Sequence, residues 1–238
     1  TMKPDVIIAW KTGGARAQLA QLEKMGINVV YSAPETPHDI AKDIRFLGAQ
    51  SNNRAKAEQV ALAYEKELSR IQVKYKRLAQ SQVYDLASTA PTQSQAAQFS
   101  GGMLGGAKEG TLSETAKPVK KGIRVFYELW PQPLTTVSKG SWNQSLLDVC
   151  QVENVFYEAP APFPQVNIEQ VMQRQVEVII QPISQEGDGK ALFDWQRWPI
   201  IPAVKQQRIL TPDADKLHRM TVRMLSELDK LCDGIYNS

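Results

Sequence analysis

Cysteine and histidine are scarce in this 238-residue chain, with two of each. Cys150 and Cys232 are too few for a disulfide scaffold and lack metal-ligand spacing, and His38 and His218 stand far apart, so a structural metal site is not expected. An excess of one charge is missing too. The 28 basic and 25 acidic residues leave a net +3, with both signs interspersed, and no basic face marks a nucleic-acid partner. No apolar run is longer than Val6 to Trp10, against the roughly 20 residues a membrane helix needs. No basic stretch followed by an apolar one marks a leader. Nucleophile-elbow, dinucleotide-fingerprint, P-loop, zincin and kinase patterns are all absent, which disfavours an enzyme with ordinary acid–base machinery.

What remains is 42% hydrophobic and 22% charged residues, enough for a sizeable core in one or two domains and too apolar for wholesale disorder. Val6 to Trp10 reads as a strand buried on both faces of a parallel sheet. Thr12-Gly13-Gly14 then turns the chain. Leu19, Leu22 and Met25 recur at helical spacing, Gly26 is a stop signal, and Ile27 to Tyr31 reads as a second strand, completing a βαβ unit. A helix is predicted from Pro37 to Leu47. A long one follows from Asn53 to Leu78, striped by Val60, Tyr64, Leu68, Ile71, Tyr75 and Leu78 and long enough to connect two lobes.

Residues 86 to 107 carry no charge and are rich in Ser, Thr, Gln, Ala and Gly, so 83–118 reads as a flexible insertion. Its glycines lack the lysine–hydroxyl pair and the preceding strand of a phosphate loop. After Pro118 the βα rhythm resumes, with strands near Ile123 to Leu129, Val176 to Ile180 and Ile200 to Val204. Helices are predicted near Ser141 to Cys150 and Val166 to Gln173, with a closing helix from Asp213 to Cys232. The expected division is 1–48 as the remainder of an N-terminal α/β lobe, 49–82 as a connecting helix, 83–118 as the insertion and 119–238 as a complete three-layer α/β lobe. Two strands are too few for an independent first lobe. Because Thr1-Met2-Lys3-Pro4-Asp5 enters an apolar run at once, the start reads as a cut, with further strands expected upstream.

Aromatic residues fall at the predicted strand ends. Trp10 closes the first strand, Tyr31 the second and Trp130 the third, while Trp142 and Phe163 stand near helix starts. Ligands of open α/β sheets sit outside the carboxyl ends of strands. Taken singly, each ring reads first as core packing or a surface lid and only second as a ligand contact. Together they suit a large, flat, partly apolar ligand. The loop bearing Trp195 and Trp198 serves either as part of the cleft or as a cap on the sheet.

Several stretches resemble the bacterial ABC-transporter substrate-binding proteins with a helical backbone, and within that class the periplasmic cobalamin binders. They are Lys3 to Trp10 with the following Gly pair, Leu22 to Ile27, Ser141 to Cys150, Glu153-Asn154-Val155-Phe156, Phe163-Pro164-Gln165-Val166 and Glu169-Gln170-Val171. The resemblance implies two three-layer α/β lobes joined by a long rigid helix, the first lobe incomplete. It implies a periplasmic, monomeric binding protein without enzymatic activity or cofactor, which delivers cobalamin from an inter-lobe cleft to an ABC permease and ATPase complex. By position it assigns Trp10, Tyr31 and Phe163 to the ligand. Trp130 and Trp142 join them on strand-end position alone. It also pairs Cys150 with Cys232 in a disulfide.

Cobalamin binders present a surface Glu on each lobe to the transporter. Arg16 and Lys216 occupy those positions here, leaving Glu23, Asp213 or Asp215 as substitutes. Haem or a ferric siderophore is the alternative ligand, with Tyr31, Tyr127 and His218 the candidates for a haem axial ligand. The tyrosines read otherwise as packing, and His218 as helix-surface polarity. A cytoplasmic chelatase-like enzyme is the rival of another class. It requires a poised His or carboxylate pair in the cleft and free thiols at Cys150 and Cys232.

Overall fold

The computed structural model describes residues 4–11, 15–88, 122–184 and 192–237. The Thr12-Gly13-Gly14 turn and residues 89–118 of the expected insertion lie outside these. The chain begins with β1 (Ile7–Trp10), α1 (Arg16–Lys24) and β2 (Val29–Ser32), a βαβ unit in which Ile7 pairs with Val29 and Trp10 with Ser32 in parallel. Gly26, at φ +81°, makes the turn out of α1. The strand is not buried on both faces as its composition implies: Ile8 is 51% and Trp10 41% exposed, and α1 has no buried residue. Among the described residues the sheet has only two strands, so each has one neighbour and little to cover it.

α2 (Pro37–Gln50) begins with a capping box. Thr36 donates its N–H and hydroxyl to Asp39, whose carboxyl is held down to about 2 by Lys42 and Thr36. α3 (Arg54–Ser88) follows, 35 residues long or about 50 Å, and runs ten residues past the predicted end at Leu78. Its stripe is buried through the middle, at Tyr64, Leu68, Ile71 and Tyr75, while Leu78 is partly exposed. α2 lies directly on it. A Cβ on Gly48 would come 2.1 Å from that of Ala57, so only glycine permits the approach. Tyr64 Oη donates to Pro37 O at 2.8 Å, and Arg45 bridges Glu58 at 2.8 Å and Glu65 at 2.6 Å.

The described residues from 122 onward form a three-layer α/β arrangement. In order come β3 (Arg124–Tyr127), a hairpin of β4 (Trp130–Pro131) and β5 (Leu134–Thr135), α4 (Trp142–Cys150), β6 (Glu153–Asn154), α5 (Ile168–Gln173), β7 (Val178–Ile180), α6 (Pro202–Lys205), β8 (Ile209–Leu210), α7 (Ala214–Leu217) and α8 (Met224–Asn237). The sheet is parallel, in the order β6-β3-β7-β8. Its alternation sorts two cores. Val125, Tyr127, Val178 and Ile180 pack with α3, α4 and α8, and Phe126 and Ile179 pack with Phe156, Val171 and Trp195 on the other face. A disulfide joins Cys150 at the end of α4 to Cys232 in α8, with Cα atoms 5.1 Å apart. α8 is also tied to α3, since Asp229 accepts from Tyr75 Oη at 2.7 Å and pairs with Arg70 and Lys74.

Two predicted elements are corrected. The strand expected at Ile200 to Val204 is the short helix α6, with Ile200 76% exposed. Pro202 opens its first turn, and the sheet position belongs to β8, which follows the left-handed Gln207. The closing helix from Asp213 to Cys232 is two helices, α7 and α8. Asp213 does cap α7, accepting from Lys216 N at 3.2 Å. The chain then turns through 218–223, and buried Glu227 reaches back to accept from Asp213 N at 2.9 Å.

Candidate ligand-binding cleft

Four of the five sequence-selected aromatics are large exposed rings at the carboxyl ends of strands or beside them. Trp10 is the last residue of β1, and Tyr31 lies beside it in β2, 37% exposed. Their register sets them on opposite faces of the two-stranded sheet, because Tyr31 pairs with Ala9 and Trp10 with Ser32. Tyr31 Oη donates to Glu23 Oε1 of α1 at 3.1 Å; partial desolvation and then this bond raise the phenol above its ordinary range. On the Trp10 face, Ser32 Oγ donates to Asp43 of α2 at 2.8 Å.

In the second lobe the fold brings Trp130 and Phe163 onto adjoining strips of chain. Trp130, 48% exposed, opens β4 opposite Thr135, and Thr135 bridges in turn to Gln165, two residues after Phe163. Phe163, 50% exposed, is carried by a proline-rich turn held from behind. Thr136 N donates to Pro164 O and Ser138 N to Pro162 O, both at 3.0 Å, and Ser138 Oγ donates to Ala161 O at 2.6 Å. Trp142 does not join this ledge. It is 8% exposed within the α4–α8 core, and its Nε1 donates to Leu217 O at 3.3 Å.

Each face of the main sheet buries a polar group at its carboxyl end. On the α4–α8 side, Tyr127 Oη lies 2.8 Å from His218 Nε2 and accepts from Asn143 Nδ2 at 3.2 Å. Burial lowers the affinity of His218 for a proton, against a smaller opposing pull from Asp215, so the ring is neutral at neutral pH. With Asn143 already donating to Tyr127 Oη, the tautomer that leaves Nε2 bare lets that nitrogen accept the Tyr127 proton. His218 is therefore not helix-surface polarity, and Tyr127 and His218 satisfy one another beneath the surface.

On the opposite face, Glu128 is 4% exposed and accepts from Trp195 Nε1 at 2.6 Å and Gln181 Nε2 at 3.0 Å. Sequence reasoning missed this residue. Its signal was a lone acid inside the apolar run Val125 to Leu129.

The basic residues at the expected docking positions are engaged locally. Arg16 donates to Lys11 O at 3.1 Å, and Lys216 pairs with Asp213 at 2.7 Å. Among the described residues no group of three His, Cys, Asp or Glu is placed to hold a metal ion, and no helix is long and apolar enough to cross a membrane.

Two α/β units with one long helix between them in the chain, and exposed aromatic rings at strand ends, make up the described fold. No family model matches the chain. It is homologous over nearly its whole length to vitamin B12-binding proteins. It is 27% identical to that of Vibrio parahaemolyticus over 232 residues, which cover 98% of this chain and 68% of the relative. It is 28% identical to that of Vibrio vulnificus strain CMCP6, covering 98% and 69%. The crystal structure of the periplasmic vitamin B12-binding protein of Vibrio cholerae superposes with a TM-score of 0.68 at 25% identity, covering 98% of this chain and 74% of that one. A periplasmic haem-binding protein from Roseiflexus sp. RS-1 reaches 0.71 at 15% identity, a likeness of fold alone. These relatives are binding proteins, and those from Vibrio cholerae and Roseiflexus are described as periplasmic.

Proposed function

We propose that the chain is a periplasmic binding protein that captures cobalamin in the cleft between its lobes and delivers it to an ABC importer, without covalent chemistry of its own. The observation that carries this reading is the exposed ring set Trp10, Tyr31, Trp130 and Phe163 at the carboxyl ends, in a chain homologous to vitamin B12-binding proteins. Large rings left in water at a strand-end cleft supply contact area for a corrinoid face with few ordered charges. Trp142 acts from beneath, by packing α4 against α7. The Cys150–Cys232 disulfide supports an oxidising compartment and weighs against the cytoplasmic enzyme, which needs both thiols free.

Stiffness is part of the mechanism. α3 is held by α2 near its start and by α8 further along, so binding relies on a largely preformed cleft and wide hinge closure plays little part.

Parallel titrations with cyanocobalamin, haemin and a ferric siderophore, followed by tryptophan quenching and visible absorbance, test the assignment. Saturable one-to-one quenching by cyanocobalamin alone is the expected result. A shifted Soret band with haemin moves the assignment to haem, and silence from all three returns it to the enzyme reading. Phe163→Ala is expected to weaken cyanocobalamin about tenfold or more with the melting temperature unchanged, the behaviour of an exposed aromatic anchor.

A further inference from the structure

We propose that Glu128 is a positioning residue for this cleft: its ionised carboxylate holds the segment Phe193 to Trp198 against the carboxyl end of the sheet, and ligand binding strengthens as that carboxylate ionises. The proposal rests on the cleft reading above. Its geometry does not. Glu128 is the first residue after β3 and Gln181 the first after β7, so the two sit side by side where the central strands end.

Three donors converge on the one carboxylate: Trp195 Nε1–H, Gln181 Nε2–H and the Phe193 backbone N–H. Gln181 Nε2 also donates to Phe193 O at 3.0 Å, which fixes its amide orientation. Among the described residues no cation offsets the charge. The segment's own ionisable groups, Asp194 and Arg197, do not act on Glu128, and the adjoining side chain from β7 is the neutral Gln181. Arg197 lies instead over the Trp198 ring, 5.5 Å from its centroid.

From Glu128 the contact passes outward through rings. Trp195, 2% exposed, meets Phe126 edge-on at 5.3 Å and Phe193 at 4.6 Å, and Phe193 stacks on Trp198 at 5.1 Å and 14°. Phe193 and Trp198 are half-buried, at the strand ends. Moving the carboxylate's partners therefore moves Phe193, whose carbonyl meets Gln181 where β7 ends, and the Trp198 ring stacked on it.

Stability alone does not account for an acid here. Burial raises Glu128 above the usual carboxylate range in spite of its three donors. With the folded value above the unfolded one, the group's contribution to stability is full at low pH and is lost as pH rises through the folded value. A neutral residue would serve folding better at neutral pH. The charge does something else: an ionised acceptor binds N–H donors about twice as strongly as a neutral one. A protonated carboxyl adds a fourth donor among three and must release a partner.

The test uses the protein carrying 5-fluorotryptophan, observed by fluorine NMR between pH 5 and 8.5 without ligand. Trp195 is identified by the signal lost in Trp195→Phe. The Trp195 resonance is expected to titrate with a midpoint above the ordinary carboxylate range and to be flat in Glu128→Gln. Cyanocobalamin affinity is expected to rise about tenfold through the same midpoint, corresponding to one pKa unit of coupling, and to be pH-independent in Glu128→Gln. Should Glu128→Gln fail to fold, Trp195→Phe reads the same coupling: one donor fewer moves the affinity midpoint upward. An unchanged affinity profile in either variant overturns the proposal. Titration of Trp195 through Glu128 with no cyanocobalamin binding at any pH overturns the cleft reading and leaves the Glu128 clamp standing.

Discussion

β1–α1–β2 and the sheet around β3 and β7 are built from the same unit, parallel strands with a helical crossover, yet Ile8 is 51% exposed where Ile179 is fully buried. The difference lies in neighbours, not in residue type. β3 and β7 each have a strand on both sides and a hydrophobic cluster on each face. Among the described residues β1 and β2 have one partner strand apiece, with α1 over one face and Asp43 of α2 reaching Ser32 on the other. Burial in an α/β layer is thus a property of sheet width, and apolar strands acquire it only when the sheet is wide enough to be covered twice.

Removing the disulfide should sharpen the contrast most. Cys150→Ala with Cys232→Ala opens a link across 82 residues, and loop-closure entropy puts the cost at roughly 4 kcal/mol in urea unfolding. A loss under about 1 kcal/mol would mean that α4 and α8 are held by packing alone. Next, Leu146→Ala should cost about 2–5 kcal/mol, whereas Leu19→Ala in α1 should cost less than about 1. Equal losses would break the comparison. Tyr75→Phe deletes the hydroxyl that joins α3 to Asp229, and about 1–2 kcal/mol is expected.

The smallest effects are those of pH, and they differ between the regions. His218 is depressed below its ordinary 6.5, so its contribution is present above that pH and is lost as pH falls through the folded value. His218→Gln should flatten this slope in calorimetry near pH 5–7. Asp39 caps α2 with a folded value of about 2 against 3.8, so its contribution is full above about pH 4 and fades between 4 and 2. At that solvent-screened site a few tenths of a kcal/mol are expected, read as the difference between the parent and Asp39→Asn.

Much of this was legible before any coordinates. Steps of four and three from Val60 to Tyr75 mark one helical face, and that face is the buried one. Asp213 marks a true helix start, and of the expected stripe Leu217, Met220, Met224, Leu228 and Leu231 all are buried except the half-buried Met220. The break between α7 and α8 was not legible, because the periodicity survives it. It depends on tertiary bonds, Glu227 to Asp213 N and His218 to Tyr127. Ile200 to Val204 misleads because a β-rich run carries no sign that Pro202 opens a helix until its partner Val176 O is known.

The exposure of Trp10, Tyr31 and Trp130 accompanies the strand-end positions read from the sequence, and the resemblance supplied the cysteine pair that the structure joins. Trp142 was placed by the same strand-end rule. Its position at the first turn of α4 turns it toward Leu217, a direction that sequence spacing does not record. Glu128 escaped notice because its partners, Gln181 and Trp195, lie 53 and 67 residues away.

The welding of Gly48 to Ala57 has a mechanical side. Twenty residues of α3 make an arm of about 30 Å, and one degree of bend at its root carries the far end only about 0.5 Å. An arm clamped near its base by α2, with Arg45 riveted to Glu58 and Glu65, behaves as a fixed calliper. If the cleft proposed above is the binding site, the gap between its walls is set by the number of residues in a helix, and a ligand is gauged by thickness before any side chain meets it.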